Sequence, residues 1–99
     1  MTYLTSKSKK NLHLNTLLEI MGEISLTCLV AKERPSSKPA KEVSAKLLLL
    51  KAKMIEAFDN LYDSKEVTDE TMRILFKSIM SISDDIFQVT TLLYFWDPF

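Results

Sequence analysis

The amino-acid sequence predicts an all-α protein of three long amphipathic helices in an antiparallel up-down-up bundle. Two observations carry that prediction. The 99 residues include one glycine and three prolines against 46% hydrophobic and 26% charged residues. This is too apolar for disorder and too poor in turn residues for a sandwich or barrel of short strands. Apolar residues also recur at alternating steps of three and four along three separate stretches, the period of a helix and not of a strand. A chain of this size hides roughly 65% of its unfolded surface in a core, so a single domain over residues 11–99 is expected.

Residues 1–10, MTYLTSKSKK, are polar and lysine-rich without a periodic apolar pattern, and read as a flexible basic arm. The first helix is expected over 11–32. Leu14, Leu17, Met21, Ile24 and Cys28 form its seam, while Leu12, Leu18, Ile20, Leu26, Leu29 and Val30 spread round the rest of the circumference. A helix with a second apolar face is sandwiched between neighbours or shared with another chain. Gly22 in its middle costs about 1 kcal/mol relative to alanine and suggests a close helix crossing.

The second helix is expected over 40–62. Val43, Leu47, Leu50, Met54, Ala57 (or Phe58) and Leu61 form its seam, with Leu48, Ile55 and Tyr62 beside them. Ser36 or Ser37 would cap it, and Pro39 suits its first turn, where a missing N–H costs nothing.

The third helix is expected over 69–96. Met72, Leu75, Ile79, Ile82, Ile86, Val89, Leu93 and Trp96 step alternately by three and four, a heptad seam. Thr68 is placed to cap it, Asp69 and Glu70 put anions in the first turn, and Val67 with Met72 forms a hydrophobic staple. Pro98 lies beyond its end, since a residue before proline resists helical geometry. Phe76 and Phe87 flank the seam, making the apolar stripe wider than a two-stranded coiled coil requires. Both connections, RPSSKP and DSKEV, are short enough to make successive helices antiparallel neighbours. Dimerisation is one way to cover the apolar faces that remain.

The net charge of zero conceals a division. Residues 1–53 carry ten Lys/Arg against four Asp/Glu, and residues 54–99 carry three against nine. The plain reading is a solubilising surface of weak ion pairs. The functional one is a basic patch that includes Lys7, Lys9, Lys10, Lys38, Lys41 and Lys46, set against an acidic one that includes Glu56, Asp59, Asp63 and Glu66, which together would steer a partner. Nucleic acid is the less favoured partner. Only Arg34 among the arginines lies in the basic half, and no aromatics interleave with the lysines to stack on bases.

Signals for chemistry are sparse. His13 and Cys28 are the sole histidine and thiol, and on one helix they stand about 22 Å apart, beyond a nucleophile–base contact. Asp84 with Asp85, and Asp59 with Asp63, lack the Glu-x-x-His partners of a carboxylate-bridged bundle site. One glycine cannot make a phosphate loop. No catalytic residue, metal ligand or cofactor is therefore expected.

The tail YFWDPF concentrates aromatics. Tyr94, Phe95 and Trp96 would either close the end of the bundle or anchor a partner, with Asp97 and Phe99 as part of a peptide-like ligand; Phe87 extends the same candidate contact. A lone cysteine favours a reducing compartment, and the opening residues lack the apolar core of a secretory signal. No run approaches the ~18 uninterrupted apolar residues of a membrane span. The sequence therefore reads as a soluble, unprocessed, cytoplasmic chain without membrane insertion.

The expected function is a small non-enzymatic regulator or inhibitor of the immunity, antitoxin, anti-activator or chaperone kind, occluding a partner through a helical surface, and the expected partners are a second copy in a homodimer, one dedicated protein, or both. The alternatives are a nucleic-acid-associated regulator using the lysine-rich half, and a purely structural helical assembly module.

Overall fold

A computed structural model describes residues 12–33 and 40–96, with Trp96 described by its backbone alone. Three helices, α1 (Leu12–Glu33), α2 (Ala40–Ser64) and α3 (Asp69–Trp96), all pack against one another. The fold is the expected all-α bundle. The N-terminal arm, the cap at Ser36 or Ser37, Pro39 and Pro98 lie outside the described residues.

The core follows the seams. On α2 the buried residues are Ala40, Val43, Leu47, Leu50, Met54, Ala57 and Leu61, an unbroken alternation of three and four. On α3 Met72, Leu75, Ile79, Ile86, Val89 and Leu93 are buried, and Ile82 packs against them partly buried. Helix α1 contributes Leu17, Ile24, Cys28 and Ala31, with Leu14, Ile20 and Met21 at the margin. No polar or charged residue is buried among the described residues, so the core exacts no desolvation penalty that hydrogen bonds would have to repay.

Long-range contacts set the topology. Glu66, in the α2–α3 connection, reaches the start of α1, where the backbone N–H groups of His13 and Leu14 donate to its Oε1 and Oε2, each at 3.2 Å. The first turn of α1 holds no acid of its own. Glu66 thus supplies from 52 residues away both the acceptors and the negative charge that a helix N-terminus favours. At the far end Lys32 Nζ donates to Asp85 Oδ1 at 2.8 Å. Helices α1 and α3 therefore run parallel, and α2 runs against both.

Local chemistry ends the helices as follows. Thr68 caps α3: its Oγ1 accepts from the N–H of Thr71 at 3.2 Å, and its carbonyl accepts from Met72 at 3.0 Å. Val67 is partly buried against the core and Met72 is buried, as a staple requires. Helix α2 runs two residues past the expected end and stops where Lys65 turns to φ 55°, its N–H donating to the Leu61 carbonyl at 3.2 Å. That is an αL cap made by a residue with a Cβ. Lys65→Gly is expected to stabilise the protein by about 1 kcal/mol by removing the left-handed steric cost. Thermal denaturation would show this as a rise of roughly 4–8 °C.

Gly22 is a correction. An added Cβ there would meet nothing within 4 Å among the described residues, so Gly22 marks no crossing with α2 or α3 and lies on the exposed side of α1. Gly22→Ala is accordingly expected to add about 1 kcal/mol of stability, read by urea denaturation.

Candidate protein-contact surface

The bundle leaves large apolar side chains outside in organised rows. On α2, Lys46 reaches towards Glu23 of α1 at 3.7 Å, and on α3, Asp85 pairs with Lys32 of α1. These two residues mark the flanks of α2 and α3 that face α1. The opposite flank of α2 carries Ser44, Leu48, Lys51, Ile55, Phe58 and Tyr62, and that of α3 carries Phe76, Met80, Ser83, Phe87, Thr90 and Tyr94. Each row steps by 4, 3, 4, 3, 4, so each helix bears a second heptad seam beside its buried one. The rows adjoin, because the rings of Phe58 and Phe76 lie 6.2 Å apart at 48°.

The result is one apolar face on the side of the α2–α3 pair away from α1. Leu48, Ile55, Tyr62, Phe76, Met80, Phe87 and Tyr94 are each between 44% and 66% exposed there. A second face lies on the outside of α1, where Leu18, Leu26, Leu29 and Val30 are exposed around Gly22.

The expected contact residues distribute unevenly over these surfaces. Phe87 and Tyr94 lie two turns apart on the α2–α3 face. Tyr94 and Phe95 touch edge-on with centroids 6.1 Å apart, and at 66% and 74% exposed they do not plug the bundle end. The Trp96 side chain, Asp97 and Phe99 lie outside the described residues, as do Lys7, Lys9, Lys10 and Lys38. Lys41 and Lys46 are five residues apart, about 140° round the helix, so they occupy different flanks and form no common patch. Glu56, Asp59 and Asp63 share one exposed row of α2, whereas Glu66 is taken up by the α1 N-terminus.

Among the described residues no group of three or more His, Cys, Asp or Glu gathers to hold a metal ion. Cys28 is buried in the core, and that burial, with the nearby Asp85 carboxylate, pushes its thiol pKa up despite Lys32; such a thiol is unreactive. Asp84 accepts a hydrogen bond from Gln88 at 2.8 Å on the exposed side. His13 lines an open groove of about 220 Å3 with Thr16, Ile20, Lys53, Glu56, Ala57 and Asn60.

No apolar run is uninterrupted over ~18 residues, yet α1 is long and apolar enough to cross a membrane by length and composition alone. Glu19 and Glu23 interrupt the run without offsetting the leucines around them. The same composition suits a helix with one face in a core and an apolar face outside it, the disposition seen here.

No protein-family model matches the chain, and comparison with curated proteins and with solved structures likewise finds no match.

Proposed function

We propose that the protein is a small non-enzymatic regulator or inhibitor that binds a protein partner and occludes it with a helical surface. The observation that carries this reading is the organised exposure of apolar side chains. Fifteen large hydrophobic residues stand at least 40% exposed among the described residues, and eleven of them fall into rows on two faces instead of scattering singly. Contiguous apolar area on that scale marks interaction sites. The partner-facing elements are the outside of α1, through Leu18, Leu26, Leu29 and Val30, and the aromatic end of α3, through Tyr94 and Phe95. Aromatic residues with two χ angles bury much area at low entropic cost, which suits them as anchors.

A nucleic-acid-associated regulator has less support, because Lys41 and Lys46 sit on different flanks and Lys46 reaches towards Glu23. The test is native purification of the untagged chain, followed by identification of what co-elutes in fixed ratio. Leu26→Lys and Phe95→Lys change exposed side chains and leave the core intact. One co-eluting protein, lost from both variants at unchanged helicity, is the expected result. Recovery of the same protein with both variants, or of nucleic acid instead of protein, would overturn the reading.

A further inference from the structure

We infer that the outer face of the α2–α3 pair is occupied by the same face of a second copy, in a symmetric homodimer with each α2 lying over the partner subunit's α3. Both area and charge point to this occupant. At about 200 Å2 for a large side chain, the seven exposed residues of the face leave roughly 800 Å2 uncovered per chain. A standard specific interface buries about 800 Å2 on each side.

The two rows are in step. Phe58 is level with Phe76; because α2 and α3 are antiparallel, Ile55 is then level with Met80, Lys51 with Ser83 and Leu48 with Phe87. A two-fold axis parallel to the helices brings each row over its counterpart in the partner at the same levels. The outer seams then close an antiparallel four-helix core between the two copies, with α1 of each chain on the outside.

Charges obey the same register. On the outer edge of α2 stands Asp59, one turn from both Ile55 and Tyr62, and α3 carries Arg73 and Lys77, one turn from Phe76 and Met80. None of the three residues is in an ion pair among the described residues. The two-fold axis sets Asp59 level with Arg73 and within a turn of Lys77 across both edges of the dimer. A face whose own acids meet its own bases under rotation is complementary to itself, as an isologous interface must be. The Lys51–Ser83 layer interrupts the apolar stack and fixes its register, as a polar layer does in a coiled coil.

The inference concerns a different face from the α1 surface of the regulatory reading and shares only Tyr94 with the α3 end that the reading also uses. Its test is light-scattering mass on the full chain and on variants of exposed residues, each checked for unchanged helicity. The wild type is expected at twice the chain mass, and Met80→Lys and Phe87→Lys at half the wild-type value, while Leu26→Lys on α1 remains dimeric.

Two charge-swapped chains test the register. One carries Asp59→Lys, and the other carries Arg73→Glu with Lys77→Glu. Alone, each should dissociate roughly tenfold more readily or worse, because like charges then face one another. Mixed in equal amounts they should form a heterodimer, since one edge is native and the other is swapped on both sides. A monomeric wild type, a dimer that survives Met80→Lys and Phe87→Lys, or swapped chains that do not recombine would each overturn the inference. So would a different protein found seated on this face.

Discussion

Leu47→Ala is expected to lower the unfolding free energy by about 2–5 kcal/mol, whereas Leu49→Ala two residues along should change it by less than about 0.5 kcal/mol. Both residues belong to the run LLLL at 47–50, so composition cannot distinguish them. The seam does. Leu47 is fully buried between α1 and α3, and its truncation leaves a cavity that two neighbouring helices must collapse to fill. Leu49 is 58% exposed and lies off both seams of α2, so alanine there costs little packing and gains slightly in helix propensity. Urea denaturation followed by circular dichroism checks the pair. A domain of this size holds a net stability of only about 5–10 kcal/mol, so Leu47→Ala would consume much of it. Equal losses at the two positions would contradict the register of α2.

Glu66→Ala is the second large effect, a loss of about 1–2 kcal/mol from one residue outside any helix. It removes both acceptors of the His13 and Leu14 N–H groups together with the negative charge that Glu66 places at that terminus. Glu66→Gln keeps an acceptor and loses the charge, and should fall about midway. Because the contact joins the α2–α3 connection to α1, the damage is local. Hydrogen exchange at His13 and Leu14 should accelerate more than at Met54 or Val89 in the core. An effect confined to α2 and α3 would show that Glu66 does not tie down α1.

These two residues also mark how far the sequence could be read. The buried rows of α2 and α3 are legible because each helix meets its neighbours along one seam, and a seam repeats every three or four residues in the chain itself. Thr68, Val67 and Met72 are legible for the same reason: a cap and its staple are local. Helix α1 is less so. Its apolar residues surround the axis, and the choice of Leu17, Ile24 and Cys28 over Leu18, Leu26 and Leu29 as core depends on which side α2 and α3 occupy.

Glu66 as the cap of α1 left only a negative trace, the absence of any acid in that helix's first turn. Lys65 left none, because the αL conformation is imposed by the exit from α2 and glycine is merely the commonest residue to adopt it. The outer row of α3 was half visible, as Phe76 and Phe87 flanking the seam. Its match to Leu48, Ile55 and Phe58 emerges only once the antiparallel pairing fixes which residues stand level. The charge division between the two halves of the chain, so plain in sequence, is partly absorbed by Lys32 with Asp85. What remains organised is the opposition of Asp59 on α2 to Arg73 and Lys77 on α3.

Whether the apolar outer faces of this bundle are contact surfaces is read most directly from the native mass of the untagged full chain by size-exclusion chromatography with light scattering, with the 260/280 nm absorbance ratio taken across the peak. The expected particle has twice 11.4 kDa, or is a heavier one containing that dimer and a protein partner, with the absorbance of protein alone. A single-chain mass that persists to the limit of solubility, with nothing bound, would contradict this expectation.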